Sequence, residues 1–76
     1  MALVVLIENP EKLDDYVEQD MRRWWQHRCR KIVSGGKTYF IVPGKFYLYE
    51  GVKRLASFGV KARVARLNHV SSPSYL

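Results

Sequence analysis

The sequence has few of the residues that form disulfide bonds and metal sites. Cys29 is the only cysteine, and His27 and His69 are the only histidines. A single cysteine cannot form an internal disulfide, and no cysteine–histidine cluster has the spacing of a zinc site. We therefore expect the chain to fold without a metal or cofactor. The lone thiol also favours a reducing, cytoplasmic location.

Long hydrophobic runs are missing as well. The apolar segment at residues 2–7 has only six residues, and no basic segment precedes it. It is too short to span a membrane and has the wrong flanks for a secretion signal. The sequence thus predicts a protein without a membrane partner.

Acidic residues are scarce after residue 20. Residues 1–20 contain six acidic residues and one basic residue, whereas residues 21–76 contain twelve basic residues and a single acidic one, Glu50. The formal net charge of +6 conceals this separation. Such a basic segment predicts an anionic partner, either nucleic acid or an acidic protein surface.

The sequence shows no arrangement of residues typical of an enzyme. Neither histidine has a catalytic partner at motif spacing. Glu8 ends the first apolar segment without a second carboxylate that could share a metal. Residues 34–37 resemble a fragment of a phosphate-binding loop but lack its flanking pattern, so they are read as a turn. We expect a non-enzymatic protein.

The first half of the chain predicts a strand followed by a helix. Residues 2–7 are continuously apolar and Glu8 follows them, which predicts a strand over residues 2–8 that is covered on both faces. Asn9 and Pro10 then give the start signal of a helix. An apolar stripe at helical spacing follows, and we expect the helix to end near residues 27–30. The stripe consists of Leu13, Val17, Met21 and Trp24.

The second half predicts a hairpin, a second helix and a last strand. The turn at residues 34–36 separates two strand-like segments, 30–33 and 37–42. A helix centred on Tyr49–Phe58 is expected after an extended or turned lead-in, with Gly59 closing it. Residues 60–67 alternate partly between apolar and polar side chains, which indicates a half-buried strand.

This order of elements predicts an α+β fold of the ferredoxin-like split β-α-β type (βαββαβ). Its four-stranded antiparallel sheet would carry two helices on one face, with the more apolar first and third strands at the centre. The alternative is a winged helix with Met21–Arg30 as recognition helix and the hairpin as wing. We expect a single domain over residues 1–70 and a flexible tail over 71–76.

The candidate site is a broad basic surface rather than a pocket. Two aromatic residues, Trp25 and Tyr39, are candidates for stacking or for anchoring an interface, with packing as the alternative role of each. Trp24 is expected in the core. The residues predicted to contact phosphate or an acidic partner are Arg22, Arg23, Arg30, Lys31, Lys37, Arg63 and Arg66.

Two functions from different classes follow. The first is a small basic protein that binds DNA or RNA mainly through the phosphate backbone. The second is a compact interaction module, such as an accessory or inhibitory factor of a virus or mobile element, that docks on an acidic face of a larger protein. Homodimerisation is compatible with either function.

Overall fold

The computed structural model describes residues 2–67. These residues form an α+β domain with a four-stranded antiparallel sheet and two α-helices. The predicted tail at 71–76 and the end of the predicted domain at 68–70 lie outside the described residues. In chain order the elements are β1 (Ala2–Ile7), a 3-10 helix (Pro10–Lys12), α1 (Asp15–Trp24), β2 (Arg30–Ser34), β3 (Lys37–Ile41), α2 (Lys45–Ser57) and β4 (Ala62–Leu67).

The sheet has the strand order β2-β3-β1-β4, so the two most apolar strands lie at its centre as predicted. Its register pairs Leu6 of β1 with Tyr39 on one side and with Arg63 on the other. The turn at Gly35–Gly36 joins β2 to β3, and both glycines have positive φ angles (59° and 76°), which suit a tight hairpin. The winged-helix alternative is wrong because β1 is a central strand and residue 30 begins β2 instead of ending a helix.

Both helices pack on the face of the sheet that carries Val5, Ile7 and Phe40. From α1, Val17 and Met21 enter this core, and Trp25 follows at the same four-residue spacing. From α2, Leu48 and Leu55 pack against them. We call the opposite face, which carries Leu6 and Tyr39, the outer face; no helix within residues 2–67 packs on it.

The structure corrects the predicted bounds of both helices. Asn9 does not cap α1; the helix begins after Asp14, whose side chain accepts a hydrogen bond from the Val17 N–H at 2.9 Å. It ends at Trp24, short of the expected 27–30, because Gln26 and His27 take left-handed φ angles of 59° and 61°. The predicted lead-in before Tyr49 is wrong too, since α2 is already helical at Lys45.

Trp25, for which packing and an exposed contact role were both left open, lies in the core, and Trp24, which was expected there, lies at its edge. Trp25 is only 2% exposed and belongs to the core, whereas Trp24 is partly buried at its edge. The Trp25 indole N–H donates to the Tyr47 carbonyl at 3.1 Å, and its ring lies 5.2 Å from that of Phe40. The ring also fills the space beside Gly51, where an added Cβ would approach it to 2.8 Å. Trp25 is therefore a packing residue, and its predicted role as an exposed stacking or interface anchor is wrong.

Candidate functional site

The sheet register divides the predicted basic residues between two faces. Because opposed residues of an antiparallel pair point to the same side, Arg30, Lys37 and Arg63 share the outer face with Tyr39. Lys31 lies opposite Phe40, and Arg66 lies opposite Leu3, so both are on the helix side. The basic residues of the strands are thus divided between the two faces, and the two on the helix side lie at opposite edges of the sheet.

Arg22 and Lys31 both form ion pairs with the carboxylate of Glu18. Glu18 accepts from Arg22 at 2.7 Å and from Lys31 at 2.9 Å. Burial alone would raise the pKa of Glu18, but the hydrogen bonds and charges of Lys31 and Arg22 outweigh it and hold that pKa below its usual value. The Arg22 guanidinium also lies 5.9 Å from the centre of the Phe40 ring. These two bases join α1 to β2 and are poorly placed to contact a partner.

Two further predicted bases have weaker internal partners. Arg63 lies 2.8 Å from the Glu8 carboxylate, yet it remains 59% exposed. Arg23 is 63% exposed and reaches Asp20 only at 4.0 Å. Exposed ion pairs of this kind contribute little to stability, so either base can exchange its partner for a phosphate.

Arg30, Lys37 and Arg66 are exposed and form no ion pair within residues 2–67. Two of them flank Tyr39 on the outer face, and Tyr39 itself is half-buried between the aliphatic side chains of the neighbouring strands. The structure therefore brings Arg30 and Lys37 to the same face as Tyr39.

A cavity of about 660 Å³ adds residues that the sequence did not single out. It is lined by Lys37, Tyr39 and Arg63 from the outer face and extends round the edge strand β4 to Arg66. At the far side it reaches the beginning of α2, where Lys45 and Tyr49 line it, and no carboxylate is among its described lining residues. The sequence placed Lys45 in an extended or turned lead-in and Tyr49 at the beginning of the predicted helix, whereas in the structure both belong to α2 and lie one helical turn apart.

The single cysteine is not activated. Burial raises the pKa of the Cys29 thiol and outweighs the neighbouring Arg22, which lowers it; Glu18 raises it further. Within residues 2–67 there is no group of three or more histidine, cysteine, aspartate or glutamate side chains placed to hold a metal ion. The same part of the chain has no helix of the length and apolarity needed to cross a bilayer.

Comparison of the chain with protein-family models, with curated proteins and with solved structures finds no match.

Proposed function

We propose that this protein is a small basic nucleic-acid-binding protein without enzymatic activity, and that it holds a single strand on the outer face and round the β4 edge. The observation that carries the proposal is the cavity of about 660 Å³ with four cations and two tyrosines in its lining. Phosphates need cations without internal partners, and bases need exposed aromatic rings. Lys37, which has no ion-pair partner within residues 2–67, and the half-buried Tyr39 lie two positions apart on the same face of β3. Tyr49, the other tyrosine in the lining, is 52% exposed.

The extended form of the surface favours a polymer over a small metabolite. Lys37 and Arg66 lie on different faces of the sheet but line one cavity that extends round β4, and a flexible strand can follow this path. Side chains that track a backbone in this way give affinity with little base preference. Contacts of this kind are compatible with either DNA or RNA.

We also propose that the fold is the ferredoxin-like split β-α-β arrangement. Support comes from the strand order β2-β3-β1-β4, with one helix between β1 and β2 and the other between β3 and β4. Domains of this topology bind RNA on the sheet face opposite the helices. The aromatic residue of this chain on that face, Tyr39, lies on a central strand.

The test is the salt dependence of binding to a fluorescent oligothymidylate and to an oligouridylate. The logarithm of the affinity should fall linearly with the logarithm of salt concentration, and Lys37→Glu and Arg66→Glu should each reduce the slope by about one phosphate. Lys53→Glu is the matched control, because Lys53 is exposed on α2, pairs with Glu50 and lies outside this cavity. Absence of binding to both oligonucleotides, or equal losses in all three variants, would refute the proposal.

Tyr39 is tested separately. Tyr39→Phe should keep the affinity, since the ring remains, whereas Tyr39→Leu should weaken binding by about 1–3 kcal/mol through loss of base stacking. Thermal unfolding of both variants verifies that the sheet is intact. If Tyr39→Leu binds as tightly as the unaltered protein, the tyrosine only packs between strands.

A further inference from the structure

A second cavity lies at the opposite side of α2's first turn, between the α1–β2 connection and the β3–α2 connection. It has a volume of about 330 Å³, which is at the small end of the range of roughly 300–1,000 Å³ that is usual for ligand sites. Trp25, Val42, Pro43 and Tyr47 form apolar walls. Phe46 also lines the cavity and is 65% exposed, so an apolar surface continues beyond the cavity mouth.

Positive charge surrounds these apolar walls. Arg28 and Lys45 line the cavity, both are exposed, and neither takes part in an ion pair within residues 2–67. The beginning of α2 points the positive end of its helix dipole here; Gly44 supplies no side-chain cap, and the first turn contains no acidic residue. No carboxylate is among the described residues that line the cavity.

The backbone next to the cavity is strained. Gln26 lines it with φ 59°, and His27 follows with φ 61°. Two consecutive residues other than glycine in the left-handed region cost about 1–2 kcal/mol each. This conformation turns the chain sharply after Trp25 and brings Arg28 to the cavity. Strained backbone of this kind is common at ligand-binding sites. Here it lies beside the cations Arg28 and Lys45, which are unpaired within the described residues, and the exposed ring of Phe46.

From this combination we infer that the cavity is a docking site for an acidic peptide segment of a partner protein, which inserts one large apolar side chain. The volume suits one side chain, and the cations and the helix end suit carboxylates on either side of it. A small aromatic acid would cover only the part of Phe46 that lines the cavity, whereas a peptide would also cover the apolar surface beyond the cavity mouth. Aromatic residues and arginines are common anchors of protein interfaces.

The site is independent of the proposed nucleic-acid surface except for Lys45, which lines both cavities. The two can therefore be separated by variants that avoid Lys45. Arg28→Glu changes only the second cavity, and Lys37→Glu changes only the first. The two variants have the same net charge, so any general electrostatic effect is equal in both.

The experiment is a titration of the isotope-labelled protein with a short peptide of glutamates around a central phenylalanine, followed by amide and indole NMR signals. We expect shifts at the Trp25 indole N–H and around residues 26 and 43–47, and saturable binding. Arg28→Glu should weaken binding by about tenfold, which corresponds to loss of one charge pair of about 1.4 kcal/mol. Phe46→Ser should weaken it as well, and Lys37→Glu should leave it unchanged.

Other outcomes would overturn the inference. A peptide with glycine in place of the phenylalanine that binds equally well would show general charge attraction. Phenylacetate that shifts the same signals with the affinity of the peptide would show a small-molecule site. Oligothymidylate that shifts the Trp25 indole signal, with affinity lost in Arg28→Glu, would assign the cavity to nucleic acid. Arg28→Glu and Lys37→Glu are each titrated with both the peptide and oligothymidylate. Failure of the peptide site is therefore distinguishable from failure of nucleic-acid binding.

Discussion

The two α-helices end in the same hydrogen-bonding pattern, made with different residues. After α2 the N–H groups of Gly59 and Val60 bond back to Ala56 and Leu55; after α1 the N–H groups of Gln26 and His27 bond back to Arg23 and Arg22. Both sets are the paired bonds of a Schellman motif, which needs a left-handed residue where Gly59 (φ 82°) and Gln26 (φ 59°) stand. Glycine takes this conformation without cost, whereas glutamine does not.

The polar groups around the Gly59 end have hydrogen-bond partners, whereas several of those around the Gln26 end have none in the described part of the chain. At the Gly59 end, the Asn9 side chain accepts from the Lys61 N–H at 2.7 Å and lies 3.4 Å from the Gly59 carbonyl, to which it donates. At the Gln26 end, the neighbouring start of α2 has no side-chain cap, and Arg28 and Lys45 form no ion pair within residues 2–67. The backbone is therefore strained at the helix end next to the apolar cavity, where we infer a docking site, and unstrained at the Gly59 end.

The largest expected effect comes from removing the indole that supports the Gln26 end. Trp25→Ala should destabilise the domain by about 3–5 kcal/mol, because it empties a site in contact with Phe40 and Gly51 and removes the hydrogen bond from the indole N–H to the Tyr47 carbonyl. Urea denaturation followed by circular dichroism measures this. Trp24→Ala is the matched control and should cost less, since Trp24 is only partly buried. Equal losses in both variants would contradict the assignment of Trp25 to the core.

The next effect acts on the same indole from the α2 side. Gly51→Ala should destabilise by about 1–3 kcal/mol through overpacking, although alanine is the better helix former. The added Cβ would lie 2.8 Å from the Trp25 ring. The double variant Gly51→Ala with Trp25→Phe provides the test, because the smaller ring should relieve the clash and make the two changes non-additive. Additive losses measured by denaturation would show that the helix contact is not the cause.

Sequence patterns predicted the strands, the hairpin and the order of the elements, because each depends on a local signal: an apolar run at 2–7, two glycines at 35–36 and Gly59 after α2. They left the role of Trp25 open, placed Trp24 in the core instead, and gave the wrong start for α2. The core position of Trp25 depends on the four-residue steps from Val17 and Met21 and on a hollow at Gly51, which lies far away in the chain. The pairing of Arg22 and Lys31 with Glu18 was equally inaccessible, because it arises only when β2 returns beside α1.

A reciprocal exchange sharpens the comparison of the two helix ends. Gln26→Gly should stabilise the domain by up to about 1 kcal/mol by relieving the left-handed strain, and Gly59→Gln should destabilise it by a similar amount. Denaturation curves of the two variants should shift in opposite directions without a change of slope. If Gln26→Gly is neutral or destabilising, the strain that we associate with the cavity is absent.

The smallest effect concerns the polar contacts that connect each helix end to the strand that follows it. At the Gly59 end these are neutral hydrogen bonds of Asn9. At the Gln26 end they are the ion pairs of Glu18 with Arg22 and Lys31. Because the pKa of Glu18 is lower in the folded protein than in the unfolded chain, its contribution is complete above the unfolded pKa and is lost as pH falls through the folded pKa. Glu18→Gln should therefore lower stability near neutral pH and flatten its decline in acid. Asn9→Ala should lower stability equally at all pH values, because no titrating group is removed. Denaturation midpoints measured across the acidic range distinguish these two behaviours, and an unchanged acid profile in Glu18→Gln would show that the shared carboxylate does not hold α1 to β2.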